Sequence, residues 1–235
     1  MTAMPLGVAY FLNYAEFDVL MLFAIVLGPA EIVAWAMLSR LWSVLTYISD
    51  GCADAAGNRS VLHLVSNDPE MAQISACKSQ FLGVFVSLLV TSILFILGTE
   101  LSTAMSPDST LQRLMVEIFP LLGLGNVVQT AGLISASLLR AQERVGMATL
   151  VSFLGNWCIT MILGSVFTFG FRIDLQGIAS AVVMGLGFSS TSNSFLLLRL
   201  PWKSTAMQMS RNLLIEHELE NEGHAAADPR QQTMV

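Results

Sequence analysis

Glu16 and Asp18 stand in the middle of an otherwise apolar stretch near the start of the chain. An ionised carboxylate is costly in such surroundings. Burial favours the neutral form, so such a group can take up a proton and release it, or exchange it for a cation. On a helix, residues two apart point about 200° away from each other, so these two cannot share one face. Asn13 and Glu16 fall on one stripe, Tyr14 and Asp18 on another. One carboxylate is expected to line a cavity and the other to face a neighbouring helix or a partner. Arg40 is a basic residue inside an apolar segment and needs a counter-ion, for which Glu16 and Asp18 are the candidates. A static bridge to Arg40 is the alternative role for either carboxylate.

Asp50 and Asp54 are four apart, hence on one helical face. Two like charges there suggest a wet vestibule or cation site, or simply a solvated helix end. Asn126, Gln129 and Asn156 are amides within apolar segments. They either hydrogen-bond between helices or share in a substrate cavity. Trp35, Trp42 and Trp157, with Tyr14, are candidates for aromatic walls around an organic cation. Glu216, His217, Glu218, Glu220, Glu222 and His224 show no pair at zinc-ligand spacing, so no metal site is expected and this segment reads as solvated. Cys52, Cys77 and Cys158 are widely spaced, with no redox or metal pattern.

The elements that must position these groups follow from composition. Of 235 residues, 54% are hydrophobic and 12% charged, and mean hydropathy is +0.66. A soluble domain carries about 25% charged residues, and a disordered chain needs low hydrophobicity with high net charge. With 11 basic against 17 acidic residues and a net charge of −6, no basic surface is left for nucleic acid. The expectation is an all-α membrane protein: a six-helix transmembrane bundle with no resident cofactor, and the lipid bilayer as its first partner. Its spans fall at about 6–27, 30–50, 80–98, 118–139, 149–171 and 178–198. The polar stretch 57–79 reads as a loop, and 201–235 as a polar cytoplasmic tail. The start of the chain has no basic segment ahead of its first apolar run, so no cleavable leader is expected.

Orientation follows from Lys and Arg. With the N-terminus in the cytoplasm, Arg59, Lys78, Arg140, Arg144, Arg199, Lys203, Arg211 and Arg230 are all inside, and only Arg113 and Arg172 are outside. Both termini are then cytoplasmic in an integral, multi-pass protein. Plasma membrane and vacuolar membrane are not distinguished. An intramembrane aspartyl protease would need two facing carboxylates on separate helices, one in a Gly-x-Gly-Asp setting. Asp50 after Tyr47-Ile48-Ser49 has no such second aspartate, so no enzyme is expected.

Several stretches, in order, resemble the multidrug and toxic compound extrusion (MATE) family of cation antiporters. Asn13-Tyr14-Ala15-Glu16-Phe17-Asp18, then Leu27-Gly28-Pro29-Ala30-Glu31, is similar to the family's seventh helix. Ala55-Ala56 with Arg59, then Leu64 and Asn67-Asp68-Pro69, resembles the loop after its eighth. Phe119-Pro120-Leu121-Leu122 with Gly132, Ser135 and Leu138 to Arg140 resembles its tenth, and the Gly177 region the start of its twelfth. Asn13 stands where the family often has a glutamate, Asp18 matches its second acidic position, and Glu16 is additional. No acid occurs near Val128 or Gln129, where plant relatives carry one.

The resemblance covers about residues 5–200 and implies the C-terminal lobe of a twelve-helix carrier. It implies efflux of a small organic cation or xenobiotic in exchange for protons, or sodium, as coupling ion. Asp18 and Glu16 would be the coupling groups, and Asn13, Tyr14, Gln129 and Asn156 the cavity candidates. The partner would be a second copy in a parallel homodimer, or an N-terminal lobe. The alternative is a truncated, non-transporting fragment of such a carrier.

Overall fold

The computed structural model describes residues 3–171, 173–212 and 215, with side chains from Ala15 onward. Its long helices run up and down: α1 (Ala3–Leu27), α2 (Pro29–Val65), α3 (Pro69–Met105), α4 (Ser109–Ala141), α5 (Val145–Gly170) and α6 (Leu175–Arg199). A short helix, α7, covers 202–212. Among the described residues there is no strand, and five helices, α2 to α6, are long and apolar enough to cross a membrane.

The turns are short and each has a local cause. Gly28 between α1 and α2 has φ +152°, a conformation other residues rarely adopt, and Pro29 then opens α2. Asp68 caps α3 by accepting from Met71 N at 3.1 Å, and Asp108 caps α4 by accepting from Thr110 N at 2.9 Å.

The stretch expected as a loop, 57–79, is mostly helix. With 37 residues each, α2 and α3 are about 55 Å long, well beyond a hydrocarbon core of about 30 Å. Ala53, Ala56, Ser60 and Leu64 are buried at helical spacing, facing Ala72, Ser75 and Ala76. This small-residue seam continues the helix pair after the hydropathy has fallen. The first part of the polar tail also folds. Trp202 and Ala206 of α7 are buried against Ala53, Ala72, Ile134 and Leu138.

Hydrogen bonds between helices centre on α4. Asn126 Nδ2 donates to Thr91 Oγ1 of α3 at 3.1 Å, and Thr130 meets Ser49 of α2 at 2.7 Å. Ser135 meets Ser194 of α6 at 2.9 Å. Close approach is set by small residues, as expected in lipid. A Cβ on Gly132 would lie 3.2 Å from the backbone of Ser190, and one on Gly155 would lie 2.7 Å from Gly185 O. The outer faces of α3 and α6 present Phe81, Ile96 and Leu198, all more than three-quarters exposed, as lipid-facing residues do.

Candidate functional site

A cavity of about 90 Å³ lies between α1, α2, α4, α5 and α6. It runs from the level of Glu16 towards the end of the bundle that holds the α4–α5 turn. Helical spacing brings its polar lining together: Ser43, Thr46, Asp50 and Asp54 recur every three or four residues on α2, and Ser189 and Asn193 are four apart on α6. Gln129 and Arg140 come from α4, Asn156 from α5.

Glu16 is 2% exposed, and its Oε1 has no hydrogen-bond partner. Thr160 of α5 stands beside its carboxyl, and the Thr160 hydroxyl donates to Gly155 O at 3.3 Å. Asn193 is 1% exposed, and its Oδ1 is likewise unpartnered. Ser189 Oγ donates to Asn156 Oδ1 at 3.1 Å. Asn156 lies in a π-helical turn, Leu154–Ile159, inside α5, and such turns redirect side chains at functional sites. Gln129 is tied to α2: Trp42 Nε1 donates to its Oε1 at 2.6 Å, and its Nε2 donates to Thr46 Oγ1 at 3.1 Å. At the mouth, Asp50 and Asp54 share the lining with Arg140, whose buried Nε has no partner.

The structure thus gathers Glu16, Asp50, Asp54, Gln129 and Asn156 around one space. It does not bring Asp18 there: Asp18 is exposed on the opposite side of α1. The side chains of Asn13 and Tyr14 lie outside the described residues. Arg40 is exposed on α2. Among the described residues it bridges neither carboxylate, the ion pair being Arg113–Glu117 at 3.0 Å. Trp35 and Trp42 do not wall the cavity. They are buried and pack on Phe17, with ring centroids 6.2 and 5.6 Å away. The sequence reading missed Thr160, Ser189, Asn193 and Arg140 as site residues. The spacing of Ser189 and Asn193 was an available signal, whereas Arg140 reads from sequence as an ordinary residue at a helix end.

Acceptors dominate this space. Three carboxyl groups and several amide and hydroxyl oxygens surround it, with one guanidinium at the mouth. Such a lining suits water, a proton in transit or a small cation. The volume holds several waters but falls short of the roughly 300 Å³ and more of drug-sized pockets.

The family model MatE matches residues 5–166. The chain belongs to the MatE family. An uncharacterized transporter of Schizosaccharomyces pombe is 22% identical over 166 residues, which is 71% of this chain and 31% of that relative. The eukaryotic MATE transporter AtDTX14 matches in structure with a TM-score of 0.79 at 18% identity, over 84% of this chain and 44% of that one. An outward-facing multidrug resistance MATE transporter of the MOP superfamily matches with a TM-score of 0.77 at 16% identity, over 83% and 43%. This MatE chain therefore spans less than half the length of those carriers, and about a third of the Schizosaccharomyces pombe relative. It is an integral, multi-pass, all-α membrane protein of a transporter family, not of an enzyme family.

Proposed function

We propose that this chain is one lobe of an exporter that exchanges a small organic cation for protons. One observation carries the reading: Glu16 is buried, has an unpartnered oxygen, and faces a cavity lined by acceptors. A carboxyl so placed binds a proton or a cation but not both, which is the elementary requirement of antiport. Sodium in place of the proton is the variant of the same chemistry. Asn156, Ser189 and Asn193 line the same cavity as Glu16 with polar groups, and Asp50 and Asp54 make the mouth attractive to cations. One structural neighbour is a multidrug resistance transporter, which fits an organic cation as the substrate class.

The Lys and Arg distribution favours placing both termini, and the mouth with Asp50 and Arg140, on the cytoplasmic side. The cavity would then load from the cytoplasm. Its volume is too small for a drug-sized cation, which supports a binding space completed by a second lobe. In parallel-repeat carriers the two lobes share orientation and rock about the site between them.

The test is uptake of a fluorescent organic cation into proteoliposomes under an imposed pH gradient, comparing wild type with Glu16→Gln. Uptake by wild type and its loss in the variant is expected. The small cavity also favours a second reading, a lobe that does not transport by itself. Wild-type protein inert in this assay, and active once a second lobe is supplied, would establish that reading instead.

A further inference from the structure

Charged side chains in a membrane face a bundle interior, a wet cavity or a partner, because lipid offers them no counter-charge. Asp18 and Arg40 break this rule within the single lobe. Both are exposed, and each lies two residues from buried positions on its own helix: Glu16 and Leu20 around Asp18, Leu38 and Trp42 around Arg40. Both therefore point away from the lobe's core. They also stand at one depth. Phe17 is stacked on Trp35 and packed on Trp42, and Trp35 Nε1 donates to Phe17 O at 3.3 Å. That contact sets Asp18 level with the stretch of α2 that carries Arg40. Counting from Gly28 gives the same answer: ten residues back to Asp18 and twelve forward to Arg40, or about 15 and 18 Å at 1.5 Å per residue. This is close to the middle of a hydrocarbon core about 30 Å thick. Neither side chain can reach head-groups from there, and the two do not pair with each other within the lobe.

We infer that the α1–α2 face is an interface between two copies of this chain, in which Asp18 of each copy meets Arg40 of the other. The face is self-complementary: it carries one acid and one base at equal depth. A two-fold operation places residue i of one copy on residue j of the other and j on i, so both charges are matched at once. Copies inserted with the same topology are related by an axis along the membrane normal, which preserves depth. The rest of the face is apolar. Leu22 and Ile25 continue the stripe from Asp18, and Val44 and Tyr47 continue it from Arg40, all exposed in the single lobe. The inference concerns the association of two copies on the side of α1 away from the Glu16 cavity, and it does not rest on the proposed function.

The experiment measures the monomer–dimer equilibrium of the full chain in lipid nanodiscs and mild detergent, by native mass spectrometry over a dilution series. Wild type is expected to dimerise. Asp18→Lys and Arg40→Glu should each weaken the dimer by about tenfold or more, because each creates two like-charge contacts in a low-dielectric layer. The double variant Asp18→Lys/Arg40→Glu should recover the wild-type equilibrium, which a general folding defect would not do. A monomeric wild type, single variants that dimerise like wild type, or a double variant no better than the singles would each overturn the inference. A dimer without cation uptake would remove the transport reading alone, and uptake by a monomer would remove this one alone.

Discussion

Gly185→Ala tests the packing that holds the site together. In α6, a Cβ at Gly185 would lie 2.7 Å from Gly155 O of α5 and would overlap Thr160 Oγ1. The carbonyl belongs to backbone, so α5 and α6 must separate by roughly 0.5–1 Å to restore normal contact. Thr160 must turn as well, and Thr160 is the neighbour of the Glu16 carboxyl. Overpacking of this kind costs about 1–3 kcal/mol. For a chain of this size, about 2 kcal/mol corresponds to a fall in Tm of about 4–8 °C. The control is Gly187→Ala on the same helix, where nothing lies within 4 Å of the added atom. That change should leave Tm unaltered or raise it slightly, since alanine is the better helix former. Thermal unfolding of both variants in one detergent, followed by intrinsic fluorescence or circular dichroism, makes the comparison. Equal Tm values for the two would refute the close α5–α6 approach and, with it, the placement of Thr160 against Glu16.

Three further outcomes are expected. Gln129→Ala removes the bonds to Trp42 and Thr46; polar bonds between membrane helices contribute about 0.6–1.7 kcal/mol, so Tm should fall by about 1–7 °C. Trp202→Ala removes the buried side chain that seats α7. Trypsin should then cleave after Lys203 and Arg211 markedly faster than in wild type, and equal cleavage would contradict the docking of α7. Asn193→Leu replaces an unpartnered buried amide oxygen with an apolar group, so stability should hold or rise. Binding of a small organic cation, measured by fluorescence titration, should weaken because Asn193 lines the cavity; unchanged affinity would contradict that role.

Hydropathy made the membrane segments legible because lipid imposes a simple demand on composition. It misread 57–79 for the same reason: beyond the bilayer the signal is periodicity, not mean hydropathy, and the buried Ala53, Ala56, Ser60 and Leu64 show a spacing of three and four that a sliding window averages away. The folding of α7 was hidden in a similar way, since Trp202 and Ala206 supply its contact in an otherwise polar segment. The site was half legible. An acid in an apolar helix stands out by type, so Glu16 was evident, and the 200° between positions two apart on a helix separates it from Asp18. The π-helical turn around Asn156 and the entry of Arg140 into the cavity mouth depend on packing between helices distant in sequence. No local pattern announces either.

The central claim is that Glu16 exchanges a proton for a cation within the acceptor-lined cavity. It is tested most directly by counting protons released when the small organic cation tetramethylammonium binds the purified full chain, followed with a pH-sensitive dye in weakly buffered solution. Wild type should release protons on binding, and Glu16→Gln should release none. Equal proton release from both proteins would contradict the claim.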